Sequence, residues 1–427
     1  VTSSYWIETL GCPKNQVDSD KLEGTLLADG MVAATDPALA DLVVVNTCAF
    51  VEEAREESVA TILALDEHRA EGSRLVVSGC MAERYGSELA DALPEVDQVA
   101  GFGVPVTLMP RPSAPAGDGT DVALLDLLNL PRPASTAPWG YVKVAEGCDK
   151  ACGFCAIPTF RGPQRSRTID SILSEVESLK VREIVLVAQD LAAFGRDGGK
   201  GERSIVPLYL AVQEHVDRVR LLYLYPSELT NELTDLMASS PVPYFDLSLQ
   251  HVSAPLLRRM RRWGEGTKFL DRIGSIRRAR PDAAFRSNFI VGYPGETEED
   301  HDQLLEFVAE AQLDWCGFFS YSSEDGTYAA QLDGEVAPEL MSERLAELRE
   351  LQDRITADRR DALIGETLDV LIDEPGIARS HYEAPEIDGV VLVPEHLPVG
   401  EFITVTVTGA AGPDLTAVPA DSESSGQ

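Results

Sequence analysis

Three thiols fall within eight residues in the run Glu146-Gly147-Cys148-Asp149-Lys150-Ala151-Cys152-Gly153-Phe154-Cys155. The spacing is Cys-x3-Cys-x2-Cys. A disulfide uses cysteines in pairs, and a structural zinc site takes four protein ligands. Three thiolates instead suit a four-iron cluster with one iron left open, and an open iron can bind a further ligand and reduce it. A metal knuckle or a set of packed thiols is the plainer alternative.

A second trio stands far apart in sequence but in equivalent places. Tyr5 to Thr9 reads as a strand, followed by Gly11-Cys12-Pro13-Lys14-Asn15-Gln16 and a helix from near Asp18 to Gly30. Asp41 to Val45 reads as a buried strand running into Asn46-Thr47-Cys48, and Arg74 to Ser78 as another running into Gly79-Cys80. Cys12, Cys48 and Cys80 therefore each follow a strand and precede a helix. In an open parallel α/β sheet those positions share the edge where ligands bind. Three thiolates can meet there, again one ligand short of closing a four-iron cluster. Free cysteine also packs as a small hydrophobe, and that reading stands beside the metal site.

The elements that carry these residues divide the chain. Residues 1–103 read as an N-terminal parallel α/β sheet domain. Residues 104–140 read as a linker, with the proline-rich piece Pro110 to Gly119 as an exposed loop and Leu124 to Leu130 as a short helix or a cover over an apolar patch. Residues 141–335 contain six strand patterns separated by helical ones, the arrangement of a partial (β/α)6 barrel. The Cys148 loop follows the first of these strands, so it belongs at the C-terminal mouth of the barrel. Gln189, Ser227, His251 and the turn from Gly292 to Thr297 follow later strands and should line the same mouth. Cys316 reads as a packed thiol, and Arg258, Arg259, Arg261 and Arg262 as a solvated basic face. Residues 336–365 form a connecting amphipathic helix, 366–420 a small all-β module of five strands, and 421–427 a disordered tail.

At 427 residues the chain is long enough for two to three domains, and its 44% hydrophobic content suits buried cores. No run approaches a membrane span, and no basic leader is seen, so a cytoplasmic protein without a membrane partner is expected. Seven cysteines without an export signal read as metal ligands in a reducing compartment. The formal net charge of −35 repels phosphate backbones and favours a basic protein partner. From Glu366 onward there are twelve acidic residues and a single base, Arg379. A nucleic-acid-binding barrel would carry the opposite balance.

The Cys148 run resembles the signature of radical S-adenosylmethionine enzymes. Gly11-Cys12-Pro13-Lys14-Asn15, Asn46-Thr47-Cys48, Ser78-Gly79-Cys80, Ala156-Ile157-Pro158 and Arg161-Gly162 resemble the motifs of the methylthiotransferases within that superfamily. The family has an N-terminal cluster domain, a radical barrel and a C-terminal TRAM module in this order. The resemblance implies two [4Fe-4S] clusters, one on Cys12, Cys48 and Cys80 and one on Cys148, Cys152 and Cys155. It implies S-adenosyl-L-methionine as cofactor, with Phe154, Gln189 and Gly292 as contacts to it, and an electron donor as partner. Ala188-Gln189-Asp190, Asp246 to His251 and Ala384 to Gly389 resemble the branch that modifies an aspartate of small-subunit ribosomal protein twelve. The short turn at Glu374-Pro375-Gly376 departs from the family pattern. The first alternative is the branch that modifies an adenosine of transfer RNA, and the second a non-catalytic iron–sulfur carrier. Direct nucleic-acid binding is not expected.

Overall fold

The computed structural model describes residues 2–108, 125–199 and 203–420. The expected exposed loop from Pro110 to Gly119 and the expected tail lie outside the described residues.

The first sheet is all parallel. Its strands are β1 (Ser4–Thr9), β2 (Val32–Ala33), β3 (Leu42–Thr47), β4 (Arg74–Gly79) and β5 (Gln98–Ala100), in the spatial order β2-β1-β3-β4-β5. Val43, Val44, Val45, Leu75, Val76 and Val77 are all fully buried, as expected of β-branched runs covered on both faces. The helices are α1 (Pro13–Ala28), α2 (Glu52–His68) and α3 (Cys80–Ala92). Helix α1 starts before the expected Asp18, because Pro13 supplies a preset first turn directly after Cys12. In the described part of the expected linker, Leu127 and Leu128 cover an apolar patch, while Val104, Asp126, Asn129 and Pro131 are exposed. Leu127 and Leu128 are buried in a single 3₁₀ turn, and Arg132 beyond it pairs with Asp20 and Glu175.

The central unit begins with β6 (Trp139–Lys143). A short antiparallel ribbon, β7 (Ala145–Glu146) with β8 (Arg165–Ser166), then pinches the base of the cysteine loop, which contains α4 (Ile157–Arg161). Strands β9 (Glu183–Val187), β10 (Arg218–Leu221), β11 (Tyr244–Gln250), β12 (Ala284–Val291) and β13 (Trp315–Ser320) follow. They alternate with α5 (Ile169–Leu179), α6 (Ile205–Gln213), α7 (Asn231–Ser239), α8 (Ala254–Arg259), α9 (Gly266–Ala279) and α10 (Glu298–Ala311). Two parallel triplets, β10-β9-β6 and β11-β12-β13, are joined by a parallel bridge between Leu224 and Leu247. Spatial order therefore follows chain order around a partial six-stranded barrel.

Helix α11 (Pro338–Asp361) buries Leu345, Leu348 and Ile355 and leads to a closed barrel. Its strands are β14 (Thr367–Glu374), β15 (Ile377–Arg379), β16 (Val391–Leu392), β17 (Phe402–Ala411) and β18 (Asp414–Pro419), ordered β14-β15-β16-β18-β17. The Pro375-Gly376 turn is a two-residue connection in which Gly376, at φ +85°, takes the left-handed position. The segment from Ser380 to Asp388 packs against the starting ends of the central strands. Tyr141 and Trp315 donate to the carbonyls of Pro385 and Tyr382, and Tyr244 donates to Asp388. The acidic module thus sits at the end of the barrel opposite the cysteine loop.

Candidate iron–sulfur site

The N-terminal domain docks with its cysteine-bearing edge on the barrel mouth through buried charges. Lys143, in the apolar strand β6, is fully buried and pairs with Asp18 of α1 and with Glu146 at 2.7 Å. Glu146 also accepts from Arg161 at 2.8 Å and from Gln189 at 2.9 Å. Arg161 reaches on to Asn15 Oδ1 at 2.8 Å and Cys80 Sγ at 2.9 Å. One chain of contacts therefore runs from the start of the Cys148 loop to a cysteine of the other trio. Burial disfavours the charged forms of Glu146 and Lys143, but Lys143 and Arg161 hold the Glu146 carboxyl below its ordinary value. Asp18 and Glu146 in turn hold the Lys143 ammonium above its own.

Cys12, Cys48 and Cys80 are all free and converge at the ends of β1, β3 and β4. Burial pushes the Cys48 thiol up to about 12, and the charges of Cys12 and Cys80 add to it. Burial also raises Cys80. At Cys12 burial is outweighed by Lys14 and Arg161, which leave the thiol below its ordinary value. Gly11 makes the close approach possible: at φ +93°, a Cβ there would stand 2.8 Å from Cys48 Cβ.

Cys148, Cys152 and Cys155 are also free, and burial pushes Cys148 up to about 11 and Cys155 up to about 12. The loop is pinned by backbone bonds from Cys148 N–H to Gly162 and from Gly153 N–H to Met260. A Cβ on Gly153 would meet the Tyr293 hydroxyl at 2.6 Å. Arg262 donates to Cys152 Sγ at 3.4 Å and to the Ser248 carbonyl, so this member of the basic run is not solvated. Among the described residues no group of three or more His, Cys, Asp or Glu side chains is arranged to hold a single metal ion. Each trio offers three free thiols, a donor set that can take up a four-iron cluster with an open iron.

The other expected contacts fall as follows. Phe154 packs half-buried against the barrel core. Gln189 spends its amide N–H on Glu146, and its buried Oε1 has no partner. Gly292 sits at φ +84° with its amide already accepted by Glu296 at 2.6 Å, so that N–H is not available to a ligand. His251 is fully buried, accepts from Ser253 N–H on Nδ1, and burial pulls it down to about 4. Cys316 is packed against the core, and burial raises its thiol. The roles of Lys143, Arg161 and Arg262 were not anticipated. A lone lysine inside the apolar stretch of β6 was the available signal, because a buried cation requires a partner.

Three family models match along the chain. They are the uncharacterized protein family UPF0004 at residues 4–101, the radical SAM superfamily at 142–308 and the TRAM domain at 364–419. A protein of Moorella thermoacetica described as ribosomal protein uS12 methylthiotransferase RimO is 42% identical over 424 residues, covering 94% of this chain and 95% of that one. A protein of Kineococcus radiotolerans with the same description is 39% identical, covering 97% of each chain. The chain belongs to the RimO family of radical S-adenosylmethionine methylthiotransferases. Membership carries S-adenosylmethionine and [4Fe-4S] clusters as cofactors. Among solved structures, the radical S-adenosylmethionine methyltransferase TsrM from Kitasatospora setae is similar at a TM-score of 0.49 and 15% identity, covering 83% of this chain and 89% of that one.

Proposed function

We propose that this chain methylthiolates the β-carbon of an aspartate in ribosomal protein uS12, with Cys148, Cys152 and Cys155 holding one [4Fe-4S] cluster and Cys12, Cys48 and Cys80 the other. The observation that carries the reading is the pair of free three-cysteine sets on facing strand ends of two domains, linked through Glu146 and Arg161. The near full-length relatives described as acting on uS12 support the target and do not favour the transfer RNA alternative. A β-carbon hydrogen is not acidic enough for a side-chain base to remove. When bound, S-adenosylmethionine and the clusters supply what the side chains lack, a radical to take that hydrogen and a reactive sulfur.

The residues of the chain hold and orient. Phe154 and Gln189 stand beside the Cys148 loop, where Gln189 Oε1 is an unspent acceptor for the cofactor. The Gly292 turn offers close backbone approach, not its amide. Arg262 steadies Cys152, and Arg161 steadies Cys80. An electron donor is required, and the reading places the reaction in the cytoplasm. No helix among the described residues is long and apolar enough to cross a membrane.

Anaerobically reconstituted protein, given S-adenosylmethionine, a low-potential reductant and recombinant uS12, is expected to add one methylthio group to an aspartate of uS12. Modification of a transfer RNA adenosine with uS12 untouched would overturn the target. Cys12→Ala should lose one cluster's iron while still cleaving S-adenosylmethionine, and iron unchanged by that substitution would refute the second cluster.

A further inference from the structure

Among the described residues, one buried cation beside the Cys12, Cys48 and Cys80 trio has no carboxylate partner. Lys14, in the first turn of α1, reaches across the domain boundary so that its Nζ stands 3.3 Å from the centre of the Tyr223 ring. The side chain is only 9% exposed. Among the described residues its ammonium has neither a hydrogen-bond acceptor nor a carboxylate within ion-pair distance. Cys12, Asp246 and Cys80 lie within electrostatic reach, but none makes an ion pair with Lys14; Asp246 accepts the Tyr223 amide on one oxygen at 2.8 Å, and its other, buried oxygen has no hydrogen-bond partner. The contrast with its neighbours is sharp. Lys143, Lys21, Arg132 and Arg161 are buried at the same boundary, and all four pair with carboxylates.

Tyr223 adds an independent sign. It follows β10 at the barrel mouth with φ at +64°, a left-handed backbone that an aromatic residue adopts only when its surroundings impose it. The strain serves to set the ring under the Lys14 ammonium, which it attracts.

We propose that Lys14 receives the carboxylate of the side chain being modified and so selects aspartate. This rests on the aspartate target proposed above. In aspartate the carboxylate is bonded to the β-carbon, so a β-carbon presented to sulfur near Cys12 brings its carboxylate to the same place. Lys14 is two residues from Cys12 and is the unpaired cation there. Burial disfavours the Lys14 ammonium, and the charges that favour it, at Cys12, Asp246 and Cys80, act on it without an ion pair or hydrogen bond; a substrate carboxylate in direct contact relieves that cost. Asparagine has the same shape without the charge and does not relieve it.

The test uses the full-length reconstituted enzyme with two synthetic uS12 peptides, one carrying the target aspartate and one carrying asparagine there. Affinity is read by fluorescence anisotropy, and KM is separated from kcat. Wild type is expected to favour the aspartate peptide. Lys14→Met should bind it at least about tenfold more weakly, the loss falling on KM, and the preference over asparagine should collapse. Lys14→Arg should restore much of that preference, with iron content at the wild-type level in both variants. A Lys14→Met enzyme that keeps the preference would overturn the assignment while leaving the aspartate target standing. Loss of iron in both variants, with peptide affinity unchanged, would place Lys14 in cluster assembly and overturn it as well. If wild type binds and modifies neither peptide nor intact uS12, the target reading falls and takes this assignment with it.

Discussion

Arg161 is where the charges of two domains converge. Its guanidinium serves Glu146 from the barrel, Asn15 from α1 and the Cys80 sulfur. Removing the cation alone leaves Glu146 and Asp18 with Lys143 as their remaining close cation. Breaking one side of a buried pair typically costs about 3–5 kcal/mol. Arg161→Met is therefore expected to lower the unfolding free energy of the cluster-free protein, read from urea denaturation, by an amount of that order and its midpoint accordingly, while Arg165→Met, at a half-exposed pair with Asp126, should change both little. Equal midpoints for the two variants would remove the docking role. The grouping of six cysteines into two trios could be read because three thiols, at close spacing or at repeated strand ends, do not pair off as disulfides and fall one ligand short of a structural zinc site, and in the structure all six are free. Arg161 and Lys143 were not legible as partners, because a pairing across more than a hundred residues leaves no local trace.

At the scale of elements, the strand pattern of the two α/β units was readable from apolar runs. The strand read at Tyr5 to Thr9 runs from Ser4 to Thr9 in the structure. The β module has the five strands expected, but the short β15 and β18, three and six residues of mixed polarity, carry too weak an alternation for the sequence to set their bounds. The sequence also could not place the β module, whose position depends on a buried seam. Glu183, at the start of β9, pairs with Arg220 at 2.9 Å and with Arg379 of the module at 3.2 Å. Burial opposes its charge, but Arg379 and Arg220 outweigh burial and hold its pKa to about 2. The folded value lies below the unfolded one, so the unfolded chain takes up the proton first. This stabilisation is full above the ordinary glutamate value of about 4.3 and is lost as pH falls toward 2. Glu183→Gln should be less stable than wild type at pH 7, and the gap should narrow as pH drops from 5 to 3. A gap independent of pH, followed by urea denaturation, would exclude this account of the seam.

For the whole molecule, the net charge of −35 sets how partners arrive. The most acidic module is held at the far end of the barrel, where Asp373, Glu383 and Asp388 are already paired with Arg379, Arg360 and Arg286. Charge so placed attracts a basic protein from a distance and does not reach the cysteine loops. Salt screens such steering within roughly 10 Å at 0.1 M, so kcat/KM for intact uS12 should fall as ionic strength rises while kcat changes little. A rate indifferent to salt would leave the acidic surface as a solubility feature. The central claim is the identity of the modified group. It is tested most directly by mass spectrometry of uS12 and of transfer RNA nucleosides from cells with and without this gene. The account predicts that deletion removes a methylthio group from one uS12 aspartate and leaves methylthio-adenosine intact. Loss of methylthio-adenosine with the uS12 aspartate still modified would contradict it.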